Sequence, residues 1–301
     1  MGAVELDETD GAIVRELRAD GRLPFEALAA RVGLSRAAAR LRVRRMQEAG
    51  RLKVVGVVHP AVRGADALAV VAVDVNGATS AVAGRIAELP GTAAVHLTAG
   101  RFPLAAQVRA RDLAGLSAAV ARVRALPGVV RTAAAVCTEV LKDPRMAAAD
   151  PPDIVPDGTD LLLLDLLERD GRLPFAELAG HAGLSAGAVR TRVLRLLDSG
   201  ALRVTAELAP SAAGLRRHGG FALRLLGPAE TALHRAAEWR EVRFLARCLG
   251  GNDLVGTAAA ASLEELRDLF ERLRGLPGVR LTETWVHLSR VEVPRLRPAL
   301  P

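Results

Sequence analysis

The chain has 301 residues, of which half are hydrophobic and only 3% are aromatic, so several cores can form and Leu, Val and Ala must fill them. Its formal net charge of +7 permits a polyanionic partner but does not by itself require one. No apolar run reaches the ~18 residues of a membrane helix, and the N-terminus is acidic where a signal peptide would be basic, so we expect a cytoplasmic protein with no membrane partner.

The most informative pattern is a repeat at a distance of 150 residues. Residues 20–54 match residues 170–204 without a gap, with 19 identities in 35 positions. A period this long indicates two copies of a multi-element unit rather than a short solenoid repeat. Any function that one copy performs is therefore encoded twice.

The first two helices of a copy are bounded by capping and turn residues. Asp7 and Asp10 supply capping oxygens before an apolar stripe, and Gly21 follows this first helix. Pro24 suits the first turn of a second helix. Gly33 then permits a tight turn before a third helix.

The third helix is predicted from its cap at Ser35 to about Ala49, and residues 52–58 after it form an extended, β-branched ribbon. Three short helices, a tight turn and a ribbon predict a winged helix-turn-helix, in which the third helix, here called the reader helix, contacts DNA. Its predicted apolar stripe consists of Ala39, Val43 and Met46. Its opposite face carries Arg36, Arg40, Arg44 and Gln47.

The basic face of the reader helix has a physical use. Arginine presents paired donors that fit guanine O6 and N7 or a phosphate, and the helix N-terminus adds a positive dipole end. A solvated charged face is the alternative interpretation, but the turn and the ribbon around the helix favour DNA. The predicted DNA-binding residues are Ser35, Arg36, Ala37, Arg40, Arg44, Gln47 and Lys53 in the first copy, and Ser185, Arg190 and Arg203 in the second.

After residue 60 the apolar periodicity becomes that of strands and helices in the order βαββαβ, which is typical of a ferredoxin-like domain. The expected fold class is therefore α+β, with two copies of a winged helix-turn-helix followed by a ferredoxin-like domain. The expected domains are winged helices at 1–60 and 157–210, ferredoxin-like domains at 66–142 and 217–293, and a proline-rich linker at 143–156.

Nothing in the sequence predicts a metal, a cofactor or a catalytic site. Cys137 and Cys248 lie at non-equivalent positions of the repeat and outside any Cys-x-x-Cys spacing, which argues against a disulfide framework or a zinc site and favours two buried, small apolar residues. The six histidines show no metal spacing. A phosphate loop, Gly-x-Ser-x-Gly, His-Glu-x-x-His and a dinucleotide fingerprint are all absent.

The combined motifs resemble those of the Lrp/AsnC (feast/famine) family of bacterial transcription regulators. The resemblance covers nearly the whole chain and rests in the first copy on the strings Leu28-Ala29, Gly33-Leu34-Ser35 and Arg42-Val43. It implies a regulator that binds double-stranded DNA and RAM-type ferredoxin-like domains that pair, which in this chain means an intrachain pseudo-dimer. An amino-acid effector and assembly into higher homo-oligomers are common in the family.

The effector site of the family lies near a Gly-x-x-Asp turn between the second and third strands of the ferredoxin-like domain. The resemblance places this site at Gly250, Asn252 and Asp253. The first copy departs from the pattern because Pro103 stands where the aspartate is expected, and proline neither accepts an ammonium hydrogen bond nor donates its own N–H. An ordinary β-turn at 250–253 is the alternative.

The reader helices of the two copies differ in charge. Arg36 and Arg44 correspond to Ala186 and Leu194, so we expect the first copy to bind DNA more strongly and the operator to be asymmetric. Two further arginines of each reader helix project toward its buried side and are expected to pair with aspartates of the first helix. They are Arg42 and Arg45, with Arg192 and Arg195 as their equivalents.

Two other functions remain open. Sirohaem decarboxylases share this architecture and depend on His and Arg residues around a tetrapyrrole cavity, and His96, Arg101 and His287 lie in the corresponding region. A lone His on an apolar strand is more often structural, however, and an enzyme has no need of a basic reader helix. A degenerate interaction module without DNA binding fits the weaker second copy, but the intact basic face of the first reader helix argues against it.

Overall fold

The computed structural model describes residues 6–143, 152–209, 212 and 214–293. The chain divides into two compact units. The first unit contains the three N-terminal helices of both copies and the strand that follows them, and the second contains the remainder of both copies. Each unit therefore joins matching parts of the two copies.

The elements follow the predicted order in both copies. The first copy contains α1 (Glu8–Ala19), α2 (Phe25–Val32), α3 (Arg36–Glu48), β1 (Leu52–Val58), a 3-10 turn (Pro60–Arg63), β2 (Ala67–Val75), α4 (Thr79–Glu88), β3 (Thr92–Ala99), β4 (Leu104–Ala110), α5 (Leu113–Arg124) and β5 (Val129–Lys142). The second copy contains α6 (Gly158–Arg169), α7 (Phe175–Ala182), α8 (Ala186–Asp198), β6 (Leu202–Leu208), β7 (Arg217–Leu225), α9 (Glu230–Glu238), β8 (Val242–Leu249), β9 (Leu254–Ala260), α10 (Leu263–Arg274) and β10 (Val279–Val291). The α+β class is confirmed, whereas most of the predicted linker at 143–156 lies outside the described residues. None of the described helices combines the length and the apolarity that crossing a lipid bilayer requires.

Side-chain caps and left-handed glycines set the helix-turn-helix boundaries. Ser35 accepts a hydrogen bond from the Ala38 N–H at 3.2 Å and so caps α3. Gly33 has a φ of 71°, a left-handed conformation that other residues rarely adopt, and it makes the turn between α2 and α3. Ser185 and Gly183 repeat both features before α8. One sequence pattern therefore folds twice into the same turn.

In the first unit, β1 and β6 pair with each other as an antiparallel two-stranded ribbon. The ribbon after each reader helix is thus completed by the other copy. Val55 lies opposite Thr205, its own equivalent in the repeat, so a pseudo-twofold axis passes between these two residues. One core serves both copies and includes the fully buried Leu17 and its equivalent Leu167.

In the second unit, the remaining eight strands of the described chain form one antiparallel sheet that closes on itself in the order β10-β3-β4-β2-β5-β8-β9-β7. Within each copy the strand order is that of a ferredoxin-like domain. The fourth strand of each ferredoxin-like domain pairs with the second strand of the other domain, so β5 pairs with β8 and β10 pairs with β3. Buried residues of α4 and α5 pack on the strands of the first copy, and those of α9 and α10 pack on the strands of the second. The two ferredoxin-like domains therefore pair within one chain.

Candidate nucleic-acid interface and ligand cavity

The reader helix α3 presents a basic face because its other face is buried in the core. The buried residues are Ala39, Val43 and Met46. The residues exposed on the opposite face are Arg36, Arg40, Arg44 and Gln47. Packing thus fixes the rotation of the helix and directs three guanidinium groups and one amide toward solvent.

The N-terminal end of α3 leaves room for close approach of a phosphate. Ala37 is exposed, and its side chain is small. The Ser35 hydroxyl oxygen accepts the capping hydrogen bond from Ala38, while its hydrogen can still donate. The positive end of the helix dipole lies at the same place. This end of the helix therefore combines a small surface, a hydroxyl donor and a favourable potential for an anion.

Arg44 forms an ion pair within its own helix. Its Nε lies 3.0 Å from Glu48 Oε1, with side-chain exposures of 69% and 63%. Exposed helical pairs of this spacing contribute about 0.3–0.5 kcal/mol, so a phosphate can compete for the arginine. The carboxylate nevertheless weakens the positive potential at this end, and the N-terminal arginines of the row face less competition.

The second reader helix, α8, presents a less basic face. Arg190 is exposed, and its guanidinium carbon lies 5.9 Å from the centre of the Phe175 ring. Ala186 and Leu194, which stand where the first copy has arginines, are also exposed. The difference in charge between the two reader helices therefore falls on solvent-facing positions.

The two strand residues predicted to contact DNA differ in accessibility. Lys53 is exposed near the start of β1, in register with Glu207. Arg203, its equivalent in the repeat, is only partly exposed on β6 and lies opposite Val57. Lys53 is therefore placed to reach a phosphate more readily than Arg203.

Arginines on the inner side of the reader helices join them to the first helices. Arg42 Nη1 lies 2.9 Å from Asp10 Oδ1, and Arg192 Nη1 lies 2.9 Å from Asp160 Oδ1. Arg195 also pairs with Asp160, whose carboxylate is fully buried. The predicted pairing is confirmed for these three arginines, whereas it is wrong for Arg45, which is exposed and forms no ion pair with the described aspartates of the first helix. The three paired arginines stabilise the packing of the helix-turn-helix and are not part of the basic face.

The most similar segment of the repeat docks one copy on the other. Arg22 Nη1 donates to the Gly171 carbonyl oxygen at 2.8 Å, and its guanidinium carbon lies 4.6 Å from the centre of the Phe175 ring. Arg172 Nη1 donates in return to the Gly21 carbonyl oxygen, also at 2.8 Å. The first unit is therefore held by a reciprocal pair of arginine contacts that obey its pseudo-twofold symmetry.

Sequence reasoning missed this docking role. A Cβ at Gly21 would lie 2.8 Å from the Thr205 backbone nitrogen, so no larger residue fits against the paired strand of the other copy. The available signal was the hexapeptide Asp-Gly-Arg-Leu-Pro-Phe, which is identical at 20–25 and 170–175. Its identity served only as evidence of duplication, although residues at a symmetric contact are constrained in both copies.

The predicted effector turn takes part in the hydrogen bonding of the fold. Asp253 Oδ2 accepts from the Leu225 N–H at 2.8 Å, and Asn252 Oδ1 accepts from the Thr282 hydroxyl at 2.6 Å. Gly250 has a φ of 143°, which side chains rarely adopt. The hydrogen bond of Asp253 is thus explained by an ordinary β-turn, whereas Asn252 also borders a cavity.

This cavity, of about 560 Å³, lies in the second unit between strands of both copies. Small side chains such as Ala133 and Ala222 leave the space, and Trp285 supplies apolar surface. Its lining includes four arginines, namely Arg101, Arg131, Arg224 and Arg280. The volume is typical of small-molecule sites, and the excess of these four arginines over the one carboxylate among the described residues of the lining, Glu283, favours an anionic ligand.

His96 and His287 meet in the second unit. Their ring centres are 4.2 Å apart at an angle of 20°, and Trp285 Nε1 donates to His287 Nε2 at 3.2 Å. Burial, with smaller effects of His96 and His218, lowers the pKa of His287 to about 3. The His287 ring is therefore neutral at pH 7, with Nε2 engaged as an acceptor. Of the three residues considered for catalysis, the two histidines are in contact and Arg101 lines the cavity.

The two cysteines lie opposite each other on β5 and β8. Cys137 and Cys248 are register partners, and both thiols are free. Burial is confirmed for Cys248, whereas Cys137 is only partly buried. The two cysteines occupy different positions of the repeat, yet they are neighbours, because β5 of the first copy pairs with β8 of the second.

Comparison with known proteins identifies both parts of each copy. A family model described as the AsnC-type helix-turn-helix domain matches residues 6–47 and 157–197, and one described as the Lrp/AsnC ligand binding domain matches residues 68–147 and 227–295. The HTH-type transcriptional regulator LrpA of Mycobacterium tuberculosis is 34% identical over 131 residues, which cover 42% of this chain and 87% of LrpA. The HTH-type transcriptional regulator FL11 of Pyrococcus horikoshii is 29% identical over 131 residues, which cover 43% of this chain and 87% of FL11. Each relative thus matches about one copy of the duplicated unit.

Solved structures of one enzyme resemble nearly the whole chain. The siroheme decarboxylase NirDL, in a co-complex with an iron-uroporphyrin III analogue, superposes with a TM-score of 0.66 over 97% of this chain and 95% of its own, at 16% identity. At this identity the likeness shows the duplicated fold and does not transfer the activity.

Proposed function

The chain belongs to the Lrp/AsnC family, and from this premise we propose that it is a sequence-specific DNA-binding transcriptional regulator of the cytoplasm. Both helix-turn-helix copies lie in one compact unit, joined by the β1–β6 ribbon and a shared core. One chain therefore supplies the two DNA-reading heads that a dimer supplies when each chain has a single copy.

The main support for this proposal is the solvent-facing row of Arg36, Arg40 and Arg44 on α3. Successive members of the row are separated by four residues, or ~6 Å along the helix axis. Guanidinium groups at this spacing can contact neighbouring phosphates or the major-groove edge of guanine.

The two heads are proposed to contribute unequally to one operator. The outward face of the first reader helix carries Arg36, Arg40 and Arg44, whereas the same face of the second carries only Arg190, so the half-site that α3 contacts should contribute more affinity. The two half-sites are expected about one DNA turn, ~34–36 Å, or a multiple of it apart.

Affinity selection from a library of random DNA duplexes tests the proposal. The full-length chain should enrich a motif with two unequal half-sites at the spacing given above. A pool in which no motif is enriched would contradict sequence-specific binding. Arg36→Gln is the matched variant, because it should retain the motif of the second half-site and relax the sequence preference of the first.

We also propose that an amino acid or a related small carboxylate binds near Gly250, Asn252 and Asp253. Asn252 borders the cavity beside Arg224, whose Nη2 donates to the Gly251 carbonyl oxygen at 2.6 Å. An amide and a guanidinium can therefore meet one carboxylate. Thermal-shift screening against the amino acids should find a stabilising ligand whose effect Asn252→Ala removes. No stabilisation by any of them would contradict the effector proposal.

The arginine-lined cavity favours a second candidate, a sirohaem decarboxylase-like enzyme. Its four guanidinium groups suit a ligand with several carboxylates. The low pKa of His287 weighs against a general acid at neutral pH. Incubation with sirohaem distinguishes the two functions. An enzyme converts the substrate and so changes its absorbance spectrum, whereas a regulator leaves the substrate unconverted.

A further inference from the structure

Cys137 and Cys248 occupy one cross-strand position of the closed sheet in the second unit. The Cys248 N–H donates at 2.8 Å to the carbonyl oxygen of Asp253, on the β9 side of its strand. In an antiparallel sheet the N–H and C=O of a residue point to the same neighbouring strand, so neither group of Cys248 points to β5. The two cysteines therefore form a non-hydrogen-bonded pair.

A non-hydrogen-bonded pair has the geometry that a disulfide needs. Its Cα atoms lie ~4.5 Å apart, and disulfides span Cα separations of ~4.4–6.8 Å. Both cysteines belong to one apolar cluster with Leu68, Phe244 and Val255, so their side chains lie on the same face of the sheet. Rotation of the two side chains can therefore bring the sulfur atoms together, and the β-bulge between Cys137 and Glu139 begins only after this pair.

We propose that Cys137 and Cys248 form a reversible oxidation site that joins the two copies by a disulfide. Two S–H bonds break and one S–S bond forms, while a low-molecular-weight disulfide takes up the two electrons and two protons and becomes two thiols. The new bond ties β5 of the first copy to β8 of the second. It also removes the S–H of Cys248 that donates to the Asn252 carbonyl oxygen at 3.3 Å, so oxidation changes the hydrogen bonding of the turn at 250–253.

The two copies also meet where β10 pairs with β3, and no pair of cysteines lies there. There the equivalent positions are Thr98 and His287, which are also register partners. The repeat thus places two side chains opposite each other at both strand pairings between the copies, and the sequence supplies thiols only between β5 and β8. The disulfide therefore links the two copies at that one pairing.

The two thiols should be oxidised slowly at neutral pH. Burial raises the pKa of Cys137 to about 12 and that of Cys248 to about 11. The thiolate, which attacks the oxidant, is scarce at pH 7 for both residues. The rate of oxidation should therefore rise about tenfold per pH unit between pH 7 and pH 9.

The test oxidises the folded, full-length chain with diamide at low protein concentration. Diamide accepts the same two electrons and two protons. The expected product is a monomer without free thiols, in which a peptide containing Cys137 is joined to one containing Cys248, and which dithiothreitol returns to the dithiol. Intermolecular dimers as the main product would overturn the proposal. So would two thiols that persist in the folded chain under conditions that oxidise the urea-unfolded chain.

A matched variant tests the geometry without changing the number of thiols. Leu249→Cys in a Cys248→Ala background moves one thiol to the opposite face of β8. Leu249 is 66% exposed, so the fold should tolerate the change. This variant should form no intramolecular disulfide although its thiol is more accessible. An intramolecular disulfide formed as fast as in the wild-type chain would contradict the assigned face of the strand.

Discussion

Replacing Arg22 by alanine should weaken the docking of the two helix-turn-helix copies by about 3.5 kcal/mol. Arg22 donates to the carbonyl oxygens of Gly171 at 2.8 Å and Leu173 at 3.2 Å. Hydrogen bonds to charged groups contribute about 1.5–3 kcal/mol each, and the lower value applies because Arg22 is only partly buried. Two such bonds give about 3 kcal/mol, and the contact with the Phe175 ring adds about 0.5 kcal/mol.

The assay is urea unfolding of the full-length chain, followed by the helical circular dichroism signal. Arg172→Ala should cause the same loss as Arg22→Ala, because Arg172 donates to two carbonyl oxygens of the first copy at 2.8 and 2.9 Å. Arg31→Ala is the control, because it removes only an exposed ion pair with Glu16 and should cost less than about 1 kcal/mol. Losses no larger than that of the control for both docking arginines would refute the reasoning.

Three further predictions concern stability and DNA binding. His287 alone should lower the free energy of unfolding by about 2 kcal/mol between pH 7 and pH 5, because it stays neutral in the folded chain, with a pKa of about 3, and is protonated below about pH 6.5 in the unfolded chain. His287→Gln should make the fall in urea unfolding smaller by that amount, while His218, whose pKa burial also lowers, keeps its own share; a fall of unchanged size in the variant would contradict the assignment. Asp160→Ala should cost about 3 kcal/mol in the same assay, because it leaves the inner arginines of α8 without their buried carboxylate, and a loss below about 1 kcal/mol would count against that pairing. Arg36→Ala should reduce the slope of log K against log salt concentration by roughly 0.9 per lost phosphate contact, and Ala186→Arg should increase it similarly; unchanged slopes in folded variants would exclude phosphate contacts at these positions.

Local features of the fold could be predicted because their causes lie within a few residues. Ser35 caps α3 through the N–H three residues later, and Gly33 makes the turn through its own φ. The buried stripe of α3 follows from the 3.6-residue period alone. The rotation of α3, and with it the exposure of Arg36 and Arg40, was therefore accessible from the sequence.

Features that depend on pairing between distant segments could not be predicted in the same way. The β1–β6 ribbon joins residues about 150 positions apart, and no local signal distinguishes it from a ribbon within one copy. The arginines of the cavity come from four separate segments. Cys137 and Cys248 meet only because β5 of the first copy pairs with β8 of the second, so an argument from equivalent repeat positions could not find them. The different accessibility of Lys53 and Arg203 likewise depends on packing.

The central claim is that the outward arginines of α3 bind duplex DNA. Its most direct test is the DNA affinity of a chain in which Arg36, Arg40 and Arg44 are all replaced by glutamine, measured by fluorescence anisotropy on a selected duplex. The matched control has the same loss of charge at three exposed arginines of the second unit, namely Arg85, Arg122 and Arg274. The affinity of the α3 variant should fall about a hundredfold with a shallower salt dependence, while the control should bind nearly as the unmodified chain does. Equal affinities of the α3 variant and the control would contradict the account.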